Sequence, residues 1–161
     1  MFGKLTLVIV FSCFLSFCFS ENTKPIKDSS KQLIKKTIIE IEAGNIRKNK
    51  DGYFIDIYAN NMDNNIAGIQ FNLIGEDFTI LEVSGGLAES AGFNFYNGAK
   101  GVVLAFSLEG KTISKPKKRT PLLVLKVQKN NSESSEFKLK TLIAGERGVK
   151  LESAFTPLVI K

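Results

Sequence analysis

Asn65-Ile66-Ala67-Gly68-Ile69-Gln70-Phe71-Asn72-Leu73-Ile74 is the stretch that decides the fold. On an extended chain, side chains two residues apart project to the same side. Ile69, Phe71 and Leu73 therefore share one face, and Gly68, Gln70 and Asn72 share the other. That alternation predicts a strand packed on its apolar side and open on its polar side.

The same texture runs outward in both directions. Residues 37–42 are β-branched and partly alternating, and residues 53–59 form a second strand. Turns are expected at Ala43-Gly44-Asn45 and at Asn49-Lys50-Asp51-Gly52, where Asp-Gly is the sharper hairpin signal. Further strands are expected at 78–83, 102–107, 122–128, 137–142, 149–151 and 158–160. Residues 102–107 are apolar on both faces, which predicts a central position. Ser84-Gly85-Gly86, followed by the small residues 87–91, predicts a turn or one helical turn, with Phe93 returning to the core. Short strands, frequent turn signals and no sustained 3.6-residue period together predict an all-β, antiparallel two-sheet sandwich.

The beginning of the chain has a different character. Lys4 precedes an apolar run over residues 5–19, and Cys18-Phe19-Ser20 places small side chains three residues and one residue before Glu21. This is a signal-peptide pattern over residues 1–20, with cleavage after Ser20. The alternatives are an uncleaved anchor, for which a run of about 20 apolar residues is needed, and acylation at Cys18, where bulky Phe17 takes the place of a small residue. Residues 21–36 are polar, lysine-rich and carry Pro25, as in a linker, with one helical turn expected at 33–36. Residues 37–161 form the domain, and the product is expected to be secreted, extracellular or held at the cell surface.

Composition narrows the chemistry. The chain has no histidine, and its two cysteines, Cys13 and Cys18, both lie in the signal segment. Zinc sites of the usual kind, cysteine nucleophiles and Ser-His-Asp machinery are thereby excluded from the mature part. Hydrolysis by paired carboxylates remains as a chemistry, with Glu76, Asp77 or Glu109 available. No cofactor and no metal are expected: Asn61-Met62-Asp63-Asn64-Asn65 lacks the glycine and closing glutamate of a calcium loop and reads as a polar hairpin loop.

The net charge is +6, with basic clusters at residues 24–36, 47–50 and 111–119. The aromatics sit in strand patterns rather than among these cations, so the basic surface reads as solvated, with weak attraction to anionic polysaccharide or to a membrane surface left open and no nucleic-acid partner expected. Lys115-Pro116-Lys117-Lys118-Arg119 is the densest of these stretches. There is no tryptophan, and Tyr53 and Tyr58 are five residues apart in one strand, so they face opposite ways. Tyr96, placed in a loop, is the ring left to touch a glycan. Asn130-Asn131-Ser132 is a glycosylation sequon.

Taken in order, residues 65–73, Leu81-Glu82-Val83-Ser84-Gly85-Gly86, Ala91-Gly92-Phe93, residues 102–109 with Gly110 and Ile113, and residues 123–127 resemble cohesin domains. The resemblance spans residues 36–161. It implies a jelly-roll sandwich of about nine strands, related to carbohydrate-binding modules, that is non-catalytic. Such a domain docks calcium-loaded dockerin modules of polysaccharide-degrading enzymes on a flat sheet face. It further implies that Gln70 and Asn72 point outward on the docking strand, and that Ser107 and Glu109 lie at the end of a neighbouring one. Two features depart from the family pattern. Ile74-Gly75-Glu76-Asp77 stands where a tyrosine-aspartate pair is common, and the loop before Leu122 is basic instead of neutral and glycine-rich. The expected function is a secreted binding module for a dockerin-type protein or a polysaccharide, with Gln70, Asn72, Ser107, Glu109 and Tyr96 as binding residues. A stand-alone carbohydrate-binding protein and a small carboxylate glycosidase are the alternatives.

Overall fold

A computed structural model describes residues 37–131 and 133–161. The expected signal segment, the residues 21–36 and Ser132 of the sequon lie outside the described residues. The strands, in chain order, are β1 (Ile39–Asn49), β2 (Gly52–Asn60), β3 (Ile66–Leu73), β4 (Phe78–Ser84), β5 (Asn94–Asn97), β6 (Val102–Phe106), β7 (Leu123–Lys129), β8 (Ser135–Phe137), β9 (Leu139–Gly145), β10 (Lys150–Leu151), β11 (Ser153–Thr156) and β12 (Leu158–Ile160). One short helix, α1 (Gly86–Ser90), follows β4. Two five-stranded sheets result, ordered β11-β1-β2-β7-β4 and β10-β9-β3-β6-β5, with β12-β8 as a two-stranded ribbon.

The alternation read around Gln70 places the core. Ile69 and Phe71 of β3 are buried, as are Val103, Ala105 and Ile143 on the neighbouring strands of their sheet. Ile41, Ile55, Ile57, Leu123, Leu125 and Val127 supply the inner side of the other sheet. Phe137 meets Phe78 edge-on, with ring centroids 5.5 Å apart, and this geometry suits aromatic quadrupoles. Gly86 shows why its segment needs glycine. Its φ is +71°, and an added Cβ would lie 2.7 Å from the backbone of Leu122, so both conformation and space demand a hydrogen there. α1 then presents Ala88 to the core, and Phe93 is buried beside it as expected.

Several expectations need correction. Ala43-Gly44-Asn45 does not turn the chain. β1 continues through it with a bulge between Gly44 and Arg47, and Asn45 takes a left-handed φ of 44° that asparagine tolerates. The pairing is not wholly antiparallel, because β11 runs parallel to β1 from Ile39↔Ser153 to Glu42↔Thr156. Residues 137–142 are not one strand of one sheet, since the chain leaves the ribbon after Phe137 and enters the second sheet at Leu139. β6 is not central but lies one strand in from the β5 edge. Tyr96 is not in a loop; it sits on β5, an edge strand formed by pairing with β6.

Candidate docking face

The outer side of β9-β3-β6-β5 is assembled by register. Leu142, Gln70, Leu104 and Tyr96 lie side by side across the four strands. The adjacent outward row is Ala144, Gly68, Phe106 and Asn94, and the next joins Lys140, Asn72 and Val102. Cross-strand neighbours on one face stand about 5 Å apart, so these residues form a continuous surface. Leu104 is 36% exposed, Tyr96 46% and Leu142 45%. Tyr96 lies flat on Phe106, with centroids 5.3 Å apart and planes 16° from parallel. Gly68 has no side chain, and the floor around it is a shallow depression of about 170 Å³ between Leu104, Phe106 and Leu142.

Polar groups border this patch. Gln70 Nε2 donates to Asn72 Oδ1 at 3.0 Å, which fixes both amides on β3. Lys140, Lys150 and Asn94 are exposed at the margins. Ser107 and Glu109 fall in the turn after β6, beyond Phe106. The Glu109 amide N–H donates to Ser107 Oγ at 3.2 Å, and the Glu109 carboxylate pairs with Lys111 Nζ at 2.7 Å. That ammonium holds the Glu109 carboxyl below its ordinary range. The structure thus brings Gln70, Asn72 and Tyr96 onto one face and puts Ser107 and Glu109 at its end. Leu104, Phe106 and Leu142, the apolar centre, were not singled out from the sequence. The signal was present in the two apolar faces of residues 102–106, which read as burial on both sides.

The opposite outer face is built differently. Asp56 on β2 is only 5% exposed and is bound by Arg47 through two hydrogen bonds, at 2.6 and 3.0 Å. Asn45 Nδ2, swung over the strand by the bulge, donates to Tyr58 OH at 2.7 Å and to Asp56 Oδ2 at 3.2 Å. The Arg119 guanidinium lies 3.9 Å above the Tyr58 ring and pairs with Glu42 at 2.6 Å. Arg47, with help from Asn45 and Tyr58, lowers the Asp56 pKa against the opposing effect of burial, and Arg119 lowers that of Glu42.

The polar loop at Asn61–Asn65 is used structurally. Asp63 accepts from Thr37 Oγ1 at 2.5 Å, and Asn65 Nδ2 donates to Glu146 at 2.8 Å. Asn130 of the sequon donates its side-chain amide to Glu76 O at 2.6 Å. Among the described residues no group of three potential ligands is placed to hold a metal, and no helix is long and apolar enough to cross a membrane.

No family model and no curated protein matches the chain. Solved structures do. The third ScaB cohesin of R. flavefaciens, in complex with a group 1 dockerin, is 13% identical with a TM-score of 0.52, over 80% of this chain and 96% of that one. A non-cellulosomal cohesin from the hyperthermophilic archaeon Archaeoglobus fulgidus is 14% identical with a TM-score of 0.51, over 77% and 88%. A cohesin module from a Clostridium perfringens family 33 glycoside hydrolase is 16% identical with a TM-score of 0.52, over 78% and 96%. At these identities the likeness is one of fold. This chain has a cohesin-like fold.

Proposed function

We propose that this chain is an exported, non-catalytic docking module. Its β9-β3-β6-β5 face receives a dockerin-type protein module, of the kind carried by polysaccharide-degrading enzymes. The observation that carries this reading is the open apolar centre of that face, Leu104, Leu142 and the Tyr96–Phe106 stack, within a polar border. Protein interfaces have this anatomy, with an apolar, aromatic-rich centre and a hydrated polar rim. The face is also nearly flat. Its depression of about 170 Å³ is well short of the roughly 300–1,000 Å³ that holds a small ligand, so the occupant is a broad surface. Gln70, Asn72 and Tyr96 contact it directly, and Ser107 and Glu109 border it. Structures of similar fold include cohesins in complex with dockerins, which is the ground for naming this class of partner.

The non-catalytic part of the proposal rests on chemistry. A general acid needs a raised pKa, whereas Glu109 is held down by Lys111. Export rests on residues 1–20, with residues 21–36 as the linker to the domain at 37–161.

Titration calorimetry of the purified chain against a panel of calcium-loaded dockerin modules tests the reading. At least one module should bind, and Leu104→Asp should weaken it about 100-fold. Absence of any binding module, or full affinity in Leu104→Asp, sinks it.

A further inference from the structure

The docking reading leaves the densest basic stretch of the domain unused. Residues 111–121 link β6 to β7 and fold over the end of the β11-β1-β2-β7-β4 face, on the other side of the sandwich from the docking face. The segment is tied down along its length. Ile113 exchanges backbone hydrogen bonds with Ile66 at 2.7 and 2.9 Å, and the Leu122 N–H donates to Ile57 O at 2.6 Å. Between these ties Arg119 is clamped onto Tyr58 and Glu42. Pro116 and Pro121 fix two further backbone angles.

A merely solvated connection would leave all its cations equally free. Here Arg119 is clamped and Lys111 pairs with Glu109, while the three lysines between them are left over. Lys115, Lys117 and Lys118 are exposed and have no carboxylate within 4.0 Å among the described residues. They line a groove of about 500 Å³ together with Glu40, the Tyr58–Asn60 end of β2 and the following Asn61 and Met62. Glu40 is the one carboxylate among the lining residues.

We propose that this groove binds an acidic polysaccharide, a chain of sugar rings bearing carboxylate or sulfate groups. Three ammonium groups on flexible stems act as separate point charges, which suits single anionic groups spaced along a polymer better than one planar, fork-bound anion. The uncommitted amide of Asn61, in the same groove, offers both a donor and an acceptor to hydroxyl groups. The Tyr58 ring is 4% exposed and already covered by Arg119, so the groove offers no free ring on which a nucleobase could stack. A larger groove of about 740 Å³ at the β1–β2 hairpin holds Lys48, Lys50, Lys129 and Lys161. There Lys48 already sits over Tyr53, 5.6 Å from its centroid, and Asp51 interrupts the positive charge. That groove serves as the control.

The test is affinity electrophoresis of the purified chain in gels containing polygalacturonate, dextran sulfate or neutral dextran. Retardation by at least one acidic polymer and none by dextran is expected. Lys115→Gln, Lys117→Gln and Lys118→Gln together should weaken it about tenfold, leaving the Arg119 clamp and the urea midpoint unchanged. Lys48→Gln, Lys50→Gln and Lys129→Gln remove the same charge from the hairpin groove and should leave most of the retardation. No retardation, or equal loss in the two triple variants, overturns the proposal. So does duplex DNA or polyglutamate retarding the chain as strongly as the acidic polysaccharide.

Discussion

The two outer faces of this sandwich solve the same problem in opposite ways. A sheet packed on one side must expose its other side, and the outward side chains then either satisfy one another or wait for a partner. On the β2 side they satisfy one another: Asp56, Arg47, Asn45, Tyr58, Arg119 and Glu42 form a chain of short polar contacts over a buried carboxylate and a buried ring. On the β3 side only the Gln70–Asn72 amides and the Tyr96–Phe106 stack do so, and Leu104, Leu142 and one side of Tyr96 stay open. Under the proposed docking function, stability and recognition are carried by different faces, and substitutions should separate them.

The largest effect is expected from Leu104→Asp. It sets a charge at the middle of the apolar row formed by Leu142, Leu104 and Tyr96. Desolvating that charge against a partner costs about 3 kcal/mol of binding, near the 100-fold loss typical of a central hot spot. Because Leu104 already meets water, the urea-unfolding free energy should move by less than about 1 kcal/mol.

Asp56→Ala should do the reverse. Its removal leaves the Arg47 guanidinium, Asn45 and the Tyr58 hydroxyl without their shared acceptor and lowers unfolding stability by about 2 kcal/mol. Arg47 is half exposed and regains water, which holds the loss below that of a fully buried pair. Dockerin affinity should be untouched. A double-mutant cycle with Arg47→Ala should return a coupling of about 1 kcal/mol, and a value near zero would detach the pair from the stability of this face.

Acid titration sharpens the same contrast. The Asp56 pKa is lowered in the folded chain, chiefly by Arg47. The native state therefore releases that proton more readily than the unfolded state, and the contribution is complete above the ordinary aspartate value of about 3.9. It is lost as pH falls through the lowered folded-state pKa. Urea midpoints measured from pH 7 downward should show the wild type losing stability in that acid range. Asp56→Asn starts lower at pH 7 and loses less, so the two curves converge. Parallel curves would place the acid sensitivity elsewhere.

How much of this was legible depends on the range of the interactions. β3 was readable from its own alternation, and Gln70 and Asn72 followed from it because outward polar residues on a strand name themselves. β5 was not, because Phe95 and Tyr96 between asparagines carry no strand signal until β6 pairs with them. β11 was hidden because its parallel partner lies more than 100 residues earlier in the chain. Asn45 read as a turn residue for the right local reason, a tolerance of positive φ, but the network around Asp56 uses that tolerance for a bulge. The apolar centre of the proposed docking face failed to appear for a more general reason. Leu104 and Phe106 look like core in any sequence, and only the packing of two sheets against each other, with the outer side of β9-β3-β6-β5 facing away from that core, leaves their side of the sheet open.

Gly68→Ala should have the smallest effect and the finest resolution. Gly68 lies on the floor of the depression, and an added Cβ would meet the Ala144 Cβ at 3.5 Å, an ordinary contact. Its backbone needs no glycine, since its φ is not among the positive ones. Alanine there restricts the unfolded chain and should stabilise the fold by up to about 1 kcal/mol. The same methyl group fills the depression. If a partner side chain enters it, affinity should fall several-fold while the urea midpoint rises, a divergence that general loosening of the fold does not produce. Unchanged affinity would mean that the partner rests on Leu104 and Tyr96 without reaching β3, and would confine the contact to the β6–β5 half of the face.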